Sequence, residues 1–231
     1  MHTGQPLGSG RTADVYEIDE SWVLRRYRDG TDATPELAVM AYLAASGFPV
    51  PRIGPPAGPS MPLSDLVLER LTGPTMAEAL LAGTLSGPEG AETLARLLRE
   101  LHTIPPRLSH DPDDRMIHLD LHPENVMLTP GGPVVIDWSN ASEGPPELDR
   151  AMSSLILAQV SLDPAFPSGD AVRGLLGELL DRLAEDGGVP ADALARATAL
   201  RASDPCLTEG ERAALDAAAE LVAAGAGLAR D

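Results

Sequence analysis

The chain has 231 residues with 43% apolar content, enough for one large domain or two small lobes whose core needs no metal or disulfide staple. A single cysteine, Cys206, excludes an intrachain disulfide and a CxxC site for zinc or dithiol chemistry. The formal net charge of −18 argues against nucleic acid and anionic membrane surfaces as partners and favours a cationic one, although solubility or a salt-adapted proteome explains the same charge.

The N-terminus lacks a basic segment followed by a long apolar run, and no stretch of roughly 20 apolar residues follows, so the expectation is a cytoplasmic protein outside the membrane. Asp14–Ile18 and Ser21–Arg26 alternate as two strands around an Asp19-Glu20 turn. Thr34 and Pro35 suit an N-cap and first helical position, with a helix from Glu36 stopped at Gly47. Val50–Ile53 and Leu66–Glu69 read as strands separated by a Pro/Gly-rich turn, and Leu71–Thr75 as a hinge before a helix over Met76–Leu81.

Beyond the hinge, Glu89–His102 carries Leu94, Leu97, Leu98 and Leu101 on one helical stripe. Pro105–Arg115 is irregular, and Val126–Leu128 and Val134–Ile136 are short strands. Helices are expected over Leu148–Ser161, Ala171–Asp186, Ala191–Ala202 and Glu209 to about Leu228.

The strongest chemical signal is His118-Leu-Asp120-Leu-His-Pro-Glu-Asn125, followed by Val134-Val-Ile-Asp137-Trp-Ser. An Asp and an Asn five residues apart in a turn, joined by a second Asp after a hairpin, supply hard oxygens suited to Mg²⁺ with nucleotide phosphates. Asp120 either joins that metal set or orients an acceptor hydroxyl, leaving Asn125 and Asp137 for the metal. At the N-terminus, Leu7-Gly-Ser-Gly-Arg-Thr-Ala-Asp-Val15 places Gly8 and Gly10 where backbone amides and Ser9 can approach phosphates; alone it is equally a simple turn.

Together these segments resemble the aminoglycoside and choline phosphotransferase family over roughly Leu7 to Leu162. The resemblance implies an α+β, protein-kinase-like bilobal fold, with a small mixed α/β lobe over 1–72 and a mainly helical lobe over 73–231. It implies Asp120 as the catalytic aspartate, Asn125 and Asp137 as Mg²⁺ ligands, and Asp149 as a structural brace. For ATP, it implies Gly8, Ser9, Gly10, Arg25 and Glu36 around the phosphates, with Val15, Val23, Leu68, Glu69 and Leu71 around the base.

Three positions depart from the family pattern: Ala13 replaces a third glycine, Leu119 a common glycine, and Arg25 the usual lysine. Arg26 is the alternative to Arg25 if the strand register differs by one. The resemblance implies phosphoryl transfer from MgATP to an alcohol on a small molecule, for which the acidic charge favours a cation. The rival reading is a catalytically weak or inactive nucleotide-binding regulatory or scaffold protein. A protein kinase fits less well, because Asp137-Trp138-Ser139 stands where D-F-G is expected. Monomer and homodimer are both open.

Overall fold

The computed structural model describes residues 4–228, leaving aside the side chain of Ser9. In chain order the first elements are β1 (Pro6–Ser9), β2 (Ala13–Glu17), β3 (Trp22–Tyr27), α1 (Thr34–Ala45), β4 (Asp65–Glu69), α2 (Met76–Leu81), α3 (Gly87–Leu101) and β5 (Arg115–Ile117). There follow β6 (Val126–Thr129), β7 (Gly132–Val135), β8 (Ser142–Gly144), α4 (Pro146–Leu162), α5 (Gly169–Leu183), α6 (Ala191–Ala202), α7 (Glu209–Ala213) and α8 (Leu215–Gly225). The described residues up to Gly73 and Met127–Ser139 make a smaller unit; Pro74–Val126 and those from Asn140 onward make a larger one.

In the smaller unit β1 to β4 form an antiparallel sheet in sequence order. The β2–β3 turn is set by Asp19, whose Oδ1 accepts from the backbone N–H groups of Ser21 (2.7 Å) and Trp22 (2.9 Å). Val15, Arg25 and Leu66 lie opposite one another, as do Glu17, Val23 and Leu68, so these six share one face of the sheet. The β6–β7 ribbon also belongs to this unit. Gly73 has φ of +127°, and a Cβ there would fall 2.1 Å from the Leu128 carbonyl oxygen, so only glycine fits.

Several sequence expectations need correction here. The glycine-rich segment begins as a strand, β1, rather than a loop throughout. Thr34 is the first helical residue and not the cap: Asp32 Oδ1 takes the Thr34 N–H at 2.8 Å, which turns the chain one residue earlier and leaves buried Ala33 at the cap. Val50–Ile53 forms no strand; its β pairing is a single bridge from Ile53 to Leu68, in a segment containing Pro51 that cannot donate to a ladder.

The larger unit is built around α4, whose residues are buried almost throughout from Leu148 to Ser161 and which packs against α5, α6 and α8. The Leu94, Leu97, Leu98 and Leu101 stripe of α3 is fully buried, and α3 packs on α5. Reciprocal capping boxes at Thr75/Glu78, Ser86/Glu89 and Thr208/Glu211 fix the starts of α2, α3 and α7. The irregular stretch expected to Arg115 ends in β5, which pairs with β8; both strands are too short to leave an alternating pattern. The expected final helix is broken at Ala214, after which α8 buries Leu215, Ala218 and Val222 and ends at Gly225. No helix among the described residues is long and apolar enough to cross a membrane.

Candidate functional site

In the larger unit β5 delivers the chain into His118-Leu119-Asp120, and a buried carboxylate holds the turn. Asp149, in the first turn of α4, accepts from the His118 N–H (3.0 Å, Oδ2) and the Leu119 N–H (2.7 Å, Oδ1), and Oδ2 meets His102 Nε2 at 3.0 Å. Burial pushes the Asp149 carboxyl up, but His102 and the loop N–H groups outweigh it and hold the group below the usual carboxylate range. Asp149 therefore braces the loop, as the resemblance implies, from inside the helix.

Leu119 has φ of +61°, a left-handed conformation that favours glycine. The leucine here carries a conformation in which a glycine would be at ease. The next residue, Asp120, donates its N–H to His118 Nδ1 at 3.2 Å.

Pro123 opens a single 3₁₀ turn that ends at Asn125. The Asn125 Nδ2 donates to the Asp120 carbonyl (2.8 Å) and to Asp120 Oδ2 (3.2 Å), and lies 3.2 Å from His122 Nε2. Among the described residues the amide's hydrogen bonds all run through its nitrogen, leaving Oδ1 as a hard oxygen. Burial pushes the Asp120 carboxyl up; His122, then His118 and Arg201, more than offset it, so the group is held below its ordinary value. Arg201 enters from α6, with Nη1 3.7 Å from Asp120 Oδ1. Sequence reasoning missed it, because an arginine in an ordinary helix far along the chain leaves no local signal.

In the smaller unit the register decides between the two arginines. Arg25 lies opposite Val15 and Leu66, whereas Arg26 faces the other way and pairs with Asp65 through Nε (2.8 Å) and Nη2 (2.5 Å). Arg25 Nη1 donates to Glu36 Oε1, and its Nη2 donates to Asp137 Oδ1 at 2.6 Å. Tyr27 Oη donates to the other Glu36 oxygen at 2.6 Å. Burial opposes the charge on Arg25, but Asp137 and Glu36 outweigh it and raise the pKa; burial likewise drives Glu36 up, against the pull of Arg25 and Tyr27. All 17 basic residues other than histidine are arginines, so no lysine anywhere in the chain can take this position.

Asp137 also adopts a left-handed conformation, φ +60°, just before buried Trp138. Trp138 anchors it by donating Nε1–H to the Val135 carbonyl at 3.0 Å and by packing edge-on against Phe48. Asp137 Oδ1 accepts from Arg25 and from Ser139 Oγ (2.8 Å), and among the described residues no donor reaches Oδ2. Asn125 Oδ1 in the larger unit and Asp137 Oδ2 in the smaller one are each hard oxygens of the kind Mg²⁺ takes. Among the described residues no three His, Cys, Asp or Glu side chains cluster as a self-contained metal cage.

The remaining expected residues lie in the smaller unit. Gly8 sits in β1 opposite Val15, and Gly10 donates its N–H to the Ala13 carbonyl at 2.9 Å, closing the β1–β2 turn. The Ser9 side chain is outside what is described. Val15, Val23 and Leu68 lie on the Arg25 face; Glu69 faces the other way, its carboxylate 3.1 Å from Arg52 Nη2, and Leu71 follows, half-exposed.

A family model described as the phosphotransferase enzyme family matches residues 3–116 and 108–185. The chain belongs to this family. No curated protein matches the sequence. Among solved structures, aminoglycoside phosphotransferase APH(4)-Ia superposes with a TM-score of 0.63 at 14% identity, over 98% of this chain and 94% of the other. A choline/ethanolamine kinase family protein from Mesorhizobium loti gives 0.60 at 15% identity, covering 96% and 92%. Amicoumacin kinase hAmiN, solved in complex with AMP-PNP, Ca²⁺ and Ami, gives 0.56 at 16%, covering 94% and 87%. At such identities the likeness establishes the fold, and this phosphotransferase has the protein-kinase-like α+β fold expected from its sequence.

Proposed function

We propose that the chain transfers the γ-phosphoryl group of ATP to a hydroxyl of a small molecule, with Mg²⁺. The observation that carries this reading is the Asp120–Asn125 arrangement: an ionised carboxylate, braced from Asp149 through the loop backbone, beside an amide whose oxygen is left open. Asp120 orients the acceptor hydroxyl and receives its proton. Asn125 Oδ1 and Asp137 Oδ2 would hold Mg²⁺, which when bound would supply neutralising charge beside the phosphates.

Arg25, oriented by Glu36, contacts phosphate oxygens, while the backbone of Gly8, Ser9 and Gly10 covers them. Val15, Val23, Leu68 and Leu71 enclose the base, whose edge bonds to backbone near Glu69. Because phosphoryl transfer asks the protein mainly to position groups and stabilise charge, no phosphoenzyme is required. The net charge of −18 supports an acceptor carrying positive charge. The nucleotide in the amicoumacin kinase structure supports ATP as donor by family likeness.

A second reading, a nucleotide-binding protein with weak or no transfer, is favoured by one observation: the arginine at position 25 engages both Glu36 and Asp137. An arginine fork does not replace a lysine point charge without cost in geometry. Calorimetric titration with AMP-PNP, with and without Mg²⁺, on the wild type and Asp137→Asn tests both. Mg²⁺-dependent binding lost in the variant supports the first reading and opens an acceptor screen by ADP release. Mg²⁺-dependent binding without turnover of any alcohol favours the second, and no nucleotide binding sinks both.

A further inference from the structure

Arg201 on α6 is nine-tenths buried, with 10% of its side chain exposed, and lies beyond residue 185, where the family match ends. Its orientation is fixed from behind. Nε donates to Gln159 Oε1 on α4 at 3.0 Å, and Gln159 Nε2 donates in turn to the Glu211 carbonyl at 2.9 Å. The front of the guanidinium makes ion pairs without hydrogen bonds among the described residues: Nη1 stands 3.7 Å from Asp120 Oδ1 and 3.8 Å from Asp204 Oδ2. Neither Nη atom is sealed from solvent without a partner.

A guanidinium held by one hydrogen bond at Nε, with its outer N–H groups paired at longer range to two carboxylates, keeps hydrogen-bonding capacity for a planar oxygen ligand. Carboxylate and phosphate are the groups that fill such a fork with two charge-assisted bonds. We propose that Arg201 is a specificity-determining residue that grips an anionic oxygen group of the acceptor, next to the hydroxyl oriented by Asp120. This deepens the phosphotransferase reading and rests on it. The acceptor class becomes an alcohol bearing a carboxylate or phosphate close to its reacting hydroxyl. An amine elsewhere on the same molecule still suits the acidic field of the protein, so a zwitterionic hydroxy acid satisfies both.

The test uses the full chain without nucleotide, so it stands even if the protein fails to turn over ATP. Arginine Nε–H signals are followed by NMR during titration with glycerate, glycerol 2-phosphate, glycerol and ethanolamine, with the Arg201 signal assigned by its loss in Arg201→Lys. The two anionic alcohols are expected to shift that signal saturably and to bind on the order of tenfold more tightly than glycerol or ethanolamine. Arg201→Met should lose about tenfold in glycerate affinity by ligand-observed NMR, Arg201→Lys should retain a preference for anions, and Gln159→Leu should weaken glycerate binding.

Glycerate binding no tighter than glycerol in the wild type overturns the proposal, as does unchanged glycerate binding in an Arg201→Met variant with a wild-type melting midpoint. If that variant does not fold, the wild-type preference and Gln159→Leu decide. Weaker binding of Mg·AMP-PNP but not Mg·ADP in Arg201→Met, with glycerate binding intact, assigns the guanidinium to the transferring phosphoryl group and overturns the acceptor role.

Discussion

The Arg25 guanidinium bridges two carboxylates of the smaller unit, donating Nη1 to Glu36 and Nη2 to Asp137 Oδ1 at 2.6 Å. Its side chain is 9% exposed and that of Glu36 4%, so removing Arg25 leaves Glu36 a buried carboxylate without a cationic partner. Arg25→Met is expected to cost about 3–5 kcal/mol in chemical denaturation near neutral pH. Burial holds the Glu36 pKa above its ordinary value, and losing Arg25 raises it further. A raised folded-state pKa means stability is lost as pH rises from about 4.3 through the folded value, so the deficit of the variant should widen across that rise. A deficit independent of pH would show that Glu36 is not the group responsible.

Leu119 offers a test of backbone strain free of side-chain chemistry. At φ +61° alanine suffers the same conformational penalty as leucine, and glycine does not. Leu119→Gly should therefore be more stable than Leu119→Ala by about 1 kcal/mol, the reverse of the usual order. Equal stabilities of the two variants in urea would show that the left-handed turn is not under strain.

Asp149 ties the loop to α4 and should control acid stability. Its folded-state pKa is depressed, so its contribution is complete above the unfolded value of about 3.9 and disappears as pH falls through the folded value. Asp149→Asn should cost about 2–4 kcal/mol near neutral pH, because an amide cannot accept on both oxygens from the His118 and Leu119 N–H groups. The gap from wild type should then narrow between about pH 4 and the acid transition. Denaturation curves at stepped pH check both statements.

Asp120→Asn separates the role of Asp120 from nucleotide binding. Turnover of any acceptor found by ADP release is expected to fall by about 10²–10⁴-fold, while the affinity for Mg·AMP-PNP changes little. Unchanged turnover would remove Asp120 from the reaction.

Much of the candidate site was legible because its chemistry is local. Asp120 and Asn125 lie on one turn set by Pro123, Asp137 lies two residues past the end of β7, and the alternation of β3 offered only two arginines for one position. Short strands such as β5 and β8 were not legible, since three residues carry no period. The break at Ala214 was also hidden, because alanine supports a helix on either side of it.

The sequence by itself determined the residue types and their order: the family, the α+β protein-kinase-like fold, and the Asp120, Asn125 and Asp137 set, all carried by spacing within short segments. Tertiary structure alone decided which partners those groups meet. Arg25 rather than Arg26 reaches Glu36 because strand pairing fixes which face each side chain takes, and Arg201 comes to Asp120 because α6 packs on α4. Such contacts join residues far apart in the chain, and their energy depends on distance and burial, which only the folded chain defines.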